Sequence, residues 1–255
     1  MSLDISHILN DWPYRPGQVT ARRIRGDDGR VKIQLRVELG LLQMEATGRP
    51  DGQQPHGQDS LLAYHEHRLH RHRSEHGSEE SFGLDERDCE MLRAEGVMYY
   101  HRYLAEFVLG DYEGVERDTT RNLQLMDFCR QYAREDSDRY LLEQYRPYVL
   151  MMHTRSRGQM ALKDNRPKAA LAIVRKGIEQ IEALYEHLGG EKMLDHSGEV
   201  SVLRAMEKEI EARIPVDPVQ KLREELARAV EEERYERAAE IRDQLRRRPG
   251  EGPRA

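Results

Sequence analysis

Cysteine is scarce in this chain of 255 residues: there are two, Cys89 and Cys129. Two thiols forty positions apart give neither a disulfide scaffold nor a four-thiolate zinc site, and such usage fits a reducing compartment. Aromatic residues are few as well, at 6%, with one tryptophan and three phenylalanines. That leaves no obvious platform on which bases could stack. No apolar run approaches the length that crosses a bilayer, and the opening Met1-Ser2-Leu3-Asp4-Ile5 lacks the apolar core of a secretion signal. The net charge of -6 argues against a molecule that binds nucleic acid through its overall field. A phosphate-binding glycine loop, a dinucleotide fingerprint, a nucleophile elbow and the HExxH zinc helix are all missing. The expectation is a non-catalytic protein of the bacterial cytoplasm, with no cofactor, no metal and no catalytic residue.

What the chain has in quantity is charge, 35% of residues against 38% hydrophobic, the balance of a helical, solvent-rich architecture. The fold class expected is α+β and mostly α: a small N-terminal antiparallel β ribbon, a helical-repeat-like domain and a C-terminal αα-hairpin. Residues 1–57 are β-rich. Residues 3–9 form a short helix, and Trp12-Pro13-Tyr14-Arg15-Pro16-Gly17 ends it. Trp12 is expected to pack on the sheet. Val31, Ile33, Leu35, Val37, Leu39 and Leu41 then alternate with polar residues and Gly40, the period of a half-buried strand. Gly26-Asp27-Asp28-Gly29 supplies turn chemistry that brings 18–25 alongside. After Leu41 the alternation changes phase to Leu42, Met44 and Ala46, which a bulge at Gly40-Leu41 would explain. Arg22, Arg23, Arg25, Arg30, Lys32 and Arg36 make the ribbon basic. They read as a charged outer face guarding the sheet edge in preference to phosphate contacts.

Residues 58–83 are a histidine-rich helix and linker. A helix over 60–73 puts His65, Leu69 and His72 on one face, and His67 and His70 three apart, within reach of one metal ion. No third ligand at zinc spacing accompanies them, so a solvated linker is the expectation. From 84 to 214 the period is helical, with helices near 86–109, 112–133, 138–163, 167–188 and 199–213. The break Leu109-Gly110-Asp111-Tyr112-Glu113, preceded by Ala105 and Tyr99-Tyr100, resembles the inter-helix turn of a tetratricopeptide repeat, with Arg102 and Tyr103 departing from it. A second turn lies at Asp164-Asn165-Arg166-Pro167-Lys168 with Ala169-Ala170 after it. Ala170, Ile173, Val174, Gly177, Ile178, Ile181, Leu184, Tyr185 and Leu188 make a wide apolar stripe that Gly189-Gly190 ends.

Residues 215–248 carry the most specific pattern. Val219, Leu222, Leu226 and Ala229 recur at steps of three and four. Tyr235, Ala238, Ala239, Arg242 and Leu245 follow after the charged run Glu231-Glu232-Glu233-Arg234. This predicts two short amphipathic helices folded into an antiparallel hairpin, with Ala229, Ala238 and Ala239 letting them approach closely. Asp217 would cap the first helix and Pro218 begin it; residues 249–255 read as a disordered tail. Leu222, Leu226, Ala229, the acidic run, Tyr235-Glu236, Ala238-Ala239 and Arg242-Asp243 resemble the UVR motif. That helical hairpin occurs in the excision-repair proteins UvrB and UvrC and in some partners of Clp proteases. Tyr235 stands where the family usually has Phe, and Val230 where it has a second aliphatic. The resemblance implies binding rather than catalysis, through Leu222, Leu226, Ala229, Tyr235, Ala238, Ala239, Arg242 and Leu245, with Leu226 at the centre. It also implies a protein partner, either another UVR-bearing protein or a second copy of this chain. Three readings follow: an interaction or adaptor protein, a repair accessory touching UvrB/UvrC-type proteins and DNA, and a regulator of a Clp-type protease. The last is disfavoured because that group often adds cysteine zinc sites. Nucleic-acid binding is expected to be weak and membrane binding absent.

Overall fold

The computed structural model describes residues 4–187, 197–214 and 218–247. The expected stop at Gly189-Gly190, the Asp217 cap and the tail at 249–255 lie outside the described residues. The chain divides into two compact units, 1–210 and 211–255. As expected, the fold is mostly helical, with a small antiparallel sheet at the N-terminus and a helical pair at the C-terminus.

In the first unit, α1 (Ser6–Asn10) leads into β1 (Thr20–Arg25), β2 (Val31–Val37) and β3 (Gly40–Glu45), an antiparallel sheet in the order β1-β2-β3. The third strand corrects the expected bulge. Val37 pairs with Gly40, Leu35 with Leu42 and Ile33 with Met44, so Glu38-Leu39 is a two-residue hairpin link, and Leu39 is 93% exposed there. A link of two residues makes positions on the inner face odd before it and even after it, which is the phase change seen in the sequence. Ile33, Leu35 and Met44 bury against Ala105 of a helix described below.

The opposite face of β2 is covered too, by polar groups. Arg22 Nε donates to Gln34 Oε1 at 2.7 Å, and Gln34 Nε2 donates to Gln43 Oε1 at 2.8 Å. The Arg22 guanidinium lies 4.4 Å from the centre of the Trp12 ring, and Arg36 Nε donates to the Trp12 carbonyl. Trp12 therefore packs on the sheet as expected, through two arginines.

α2 (Leu61–His76) is not a solvated linker helix. Leu61, Leu62, His65 and Leu69 are buried, and the three leucines join one cluster with Leu84, Cys89, Leu92, Leu125, Phe128 and Cys129. Ser60 caps its start by accepting from the Ala63 amide, and Gly77 ends it at φ 72°. The low hydrophobicity of the segment hid this, because three leucines and one neutral histidine suffice to line so narrow a face.

Further helices follow: α3 (Glu86–Val108), α4 (Tyr112–Tyr132), the short α5 (Asp136–Leu141), α6 (Arg146–Lys163), α7 (Pro167–His187) and α8 (Gly198–Arg213). The expected helix 138–163 is interrupted by a 3-10 turn at Glu143–Tyr145 before α6 restarts with Pro147 in its first turn. Proline disfavours helical geometry just before itself and suits a first turn. α3 packs on α4, α4 on α6 and α6 on α7. The α6–α7 approach is close at Gly177, where a Cβ would collide with the Thr154 side chain.

Buried charges tie the sheet to these helices. The Arg102 guanidinium on α3 grips Asp118 on α4 and also donates to the carbonyls of Gly48 and Glu45, at 2.7 and 3.1 Å. Glu95 on α3 accepts from Arg49 Nε and the Leu61 amide, both at 2.8 Å, from the Leu62 amide at 3.2 Å, and from Arg121 on α4. One carboxylate thus caps α2, where unpaired amides favour an anion, and holds the loop leaving β3.

Candidate protein-interaction hairpin

The second unit holds α9 (Pro218–Glu231) and α10 (Tyr235–Arg247), joined by a tight reversal. α9 ends when Glu233 takes the left-handed conformation, φ 56°. The Glu233 amide then reaches the Val230 carbonyl at 3.1 Å, and the Arg234 amide reaches that of Ala229 at 2.8 Å. This is the double bond pattern that closes helices at a left-handed residue. The same pattern occurs at Gly110 between α3 and α4 and at Asn165 between α6 and α7. Glutamate is the most strained of the three residues in that role.

The helices meet along Ala229, Ala238 and Ile241, all buried, with Leu222, Leu226 and Leu245 partly buried around them. The small side chains Ala229 and Ala238 allow the close approach expected of them. The centre is Ile241, 1% exposed, and not Ala239 or Arg242, which the resemblance implies as contacts. The spacing Ala238, Ile241, Leu245, steps of three and four, points to it. Leu226 is not the centre of the hairpin's own seam; it flanks the seam, half buried. Ala239 is intermediate and Arg242 exposed. Tyr235 is 67% and Val230 52% exposed. Ion pairs on the surface run from Arg237 to Glu225 across the helices, at 3.8 Å, and to Glu240 at 2.9 Å.

The cations of the ribbon are largely engaged: Arg23 with Asp111, Arg30 with Asp28, Lys32 with Asp28 and Glu45, and Arg36 with the carbonyls of Trp12, Val37 and Gly40; Arg25 is exposed. His67 and His70 are exposed on α2. Among the described residues no group of three or more His, Cys, Asp or Glu side chains is placed to hold a metal ion. Buried His65 accepts from Arg68 through Nδ1, and burial holds its pKa below the usual imidazole range. Cys89 and Cys129, far apart in sequence, meet in the core and share a hydrogen bond that lowers the Cys89 thiol pKa and raises that of Cys129. Among the described residues no helix is long and apolar enough to cross a membrane.

Residues 218–247 match the family model of the UvrB/uvrC motif, so the hairpin is a UVR motif. No curated protein and no solved structure matches the chain.

Proposed function

We propose that this is a non-catalytic interaction or adaptor protein of the cytoplasm that docks onto another protein's helical hairpin through its UVR motif. The observation that carries this reading is the incomplete seam of α9 and α10. Two helices of 14 and 13 residues are marginal alone in water. Their shared core is one isoleucine and two alanines, while Leu222, Leu226 and Leu245 are only partly covered. A second hairpin laid over those leucines completes a four-helix packing. The first unit serves as the body in this reading; the packing of α3 on α4 and of α6 on α7 supports a helical scaffold that presents surfaces to partners.

The repair-accessory reading keeps the same docking step toward a UvrB- or UvrC-type protein. Its DNA arm is the weaker part, because the ribbon's cations are spent on intramolecular partners, leaving few to neutralise phosphates. Calorimetric titration of the full chain with the UVR hairpin of a UvrB- or UvrC-type protein tests the proposal. Saturable one-to-one binding that Leu226→Asp abolishes is the expected result. Absence of binding to either hairpin and to a second copy of the chain rejects it.

A further inference from the structure

The first unit contains a cleft that the docking reading does not use. It encloses about 720 Å³ between α3, α4, the α5–α6 connection and the start of α8, a volume suited to a small organic ligand. Its wall is built from the rings of Tyr100, Tyr103 and Tyr148 and from aliphatic side chains, with Val97, Leu141 and Tyr145 exposed at the mouth. Tyr100 meets Tyr103 edge to face, ring centres 5.5 Å apart, and lies 6.0 Å from the Tyr148 ring. Burial pushes the Tyr103 phenol pKa up and that of Tyr148 up to about 12, so the wall stays neutral.

Both charged side chains on the lining are engaged. Arg93 donates to Asp138 at 2.6 Å, and Glu199 accepts from the Ser197 hydroxyl at 3.1 Å. An anionic ligand would therefore meet no free cation on the lining, would be repelled by the Glu199 carboxylate, and would lose its hydration against tyrosine and leucine.

Asn122 gives the cleft its one polar demand. It is 5% exposed; its Nδ2 donates to the Gly96 carbonyl at 3.0 Å, and its Oδ1 has no hydrogen-bond partner. An unmet buried acceptor is uncommon and costly. Opposite it, Gly96 interrupts α3 with a residue that weakens a helix. Packing does not require that glycine: a Cβ there would sit 3.8 Å from Asn122 Oδ1 and 3.9 Å from Leu125 Cδ1, ordinary contact distances. The oxygen is covered in the empty cleft, and the missing methyl at Gly96 keeps that cover as thin as the helix allows.

We propose that this cleft binds a neutral, largely apolar small molecule with more than one aromatic ring and a single N–H or O–H donor, which pairs with Asn122 Oδ1. The rings stack among the tyrosines, and the donor reaches the covered oxygen past Gly96, where no side chain bars the way.

The test uses the full chain and three matched probes. N-phenyl-1-naphthylamine is neutral with one N–H; 8-anilino-1-naphthalenesulfonate adds an anion to that skeleton; 1-naphthyl phenyl ether replaces the N–H with oxygen. Fluorescence titration is expected to show the amine saturating at one per chain. The sulfonate should bind at least about tenfold more weakly, and the ether, read by displacement, about five- to tenfold more weakly. Asn122→Ala should erase the difference between amine and ether while leaving ether binding in place, which also shows that the variant folds. Gly96→Ala should weaken the amine more than the ether. Val97→Trp at the mouth should weaken all three. Non-saturable binding, equal binding of amine and ether to the unaltered chain, or indifference to Val97→Trp overturns the proposal. Leu226→Asp should leave every value unchanged, so this site and the docking hairpin fail or succeed separately.

Discussion

Arg102 on α3 and Asp118 on α4 face each other as a two-pronged ion pair, 2.6 and 2.8 Å, with both side chains 1% exposed. A buried pair of this kind is destabilising to break by halves, since the partner left behind is an uncompensated charge. Asp118→Asn is expected to cost about 3 kcal/mol or more of stability, measured by urea unfolding of the first unit. A loss below about 1 kcal/mol would mean that Arg102 is held by the Gly48 and Glu45 carbonyls alone.

Glu106 sits beside this pair. Burial, reinforced by the negative charge of Asp118, raises its pKa from 4.5 to about 7 despite Arg117 and Arg102 nearby. The folded state therefore holds a proton that the unfolded chain has released, so this group's contribution is fully present below about pH 4.5 and is lost as pH rises through 7. Glu106→Gln mimics the protonated form. Its stability relative to the parent should rise between pH 5 and 8, by on the order of 2 kcal/mol. A pH-independent difference between the two chains would contradict this.

Glu233 holds the left-handed corner of the hairpin, a conformation that glycine adopts without penalty. Glu233→Gly should stabilise α9 and α10 by about 0.5–1 kcal/mol, seen as slower amide hydrogen exchange over 218–247. Gly110→Glu, the reverse change at the same corner between α3 and α4, should destabilise the first unit.

Leu226 and Ile241 should separate docking from folding. Leu226→Asp places a charge on the partly covered stripe and is expected to abolish partner binding, at a cost of several kcal/mol in a dry seam. The melting of residues 84–214 should barely change. Ile241→Ala removes the centre of the hairpin's own core and should unfold α9 and α10 themselves, a loss of about 2–4 kcal/mol. Circular dichroism and calorimetry on both variants distinguish the two effects.

Cys89 and Cys129, each 1% exposed, should react with a thiol reagent only as fast as the core opens. Two thiols per chain should titrate promptly in denaturant and slowly without it. Prompt native labelling would place the α2–α3–α4 cluster at the low-stability end of the molecule.

Regular periodicity was readable from the chain alone. The alternation at 31–37 is β2, and the helix breaks at Gly110 and Asn165 fall where the turn chemistry puts them. The third strand was ambiguous because one extra residue in a strand and a two-residue hairpin both flip the alternation; only the pairing of Val37 with Gly40 decides. Glu95, Arg102 and Asp118 were hidden for a different reason. On a helix a charged residue looks solvated until its partner is known, and Arg49 and Glu95 lie 46 positions apart. At the hairpin, the leucines and alanines were legible, while Ile241 was masked by the conspicuous Ala238-Ala239 pair beside it.

Glu95 collects the loop after β3, the first turn of α2 and α4 at a single carboxylate. A chain cut between α2 and α3 would take Arg49 and the α2 amides away from that carboxylate and leave Arg121 of α4 to hold it in the core. Recombination and protein engineering therefore have no free joint near residues 58–83, despite the loop-like composition there. The ribbon, α2 and the α3–α4 pair must be inherited, expressed and unfolded together.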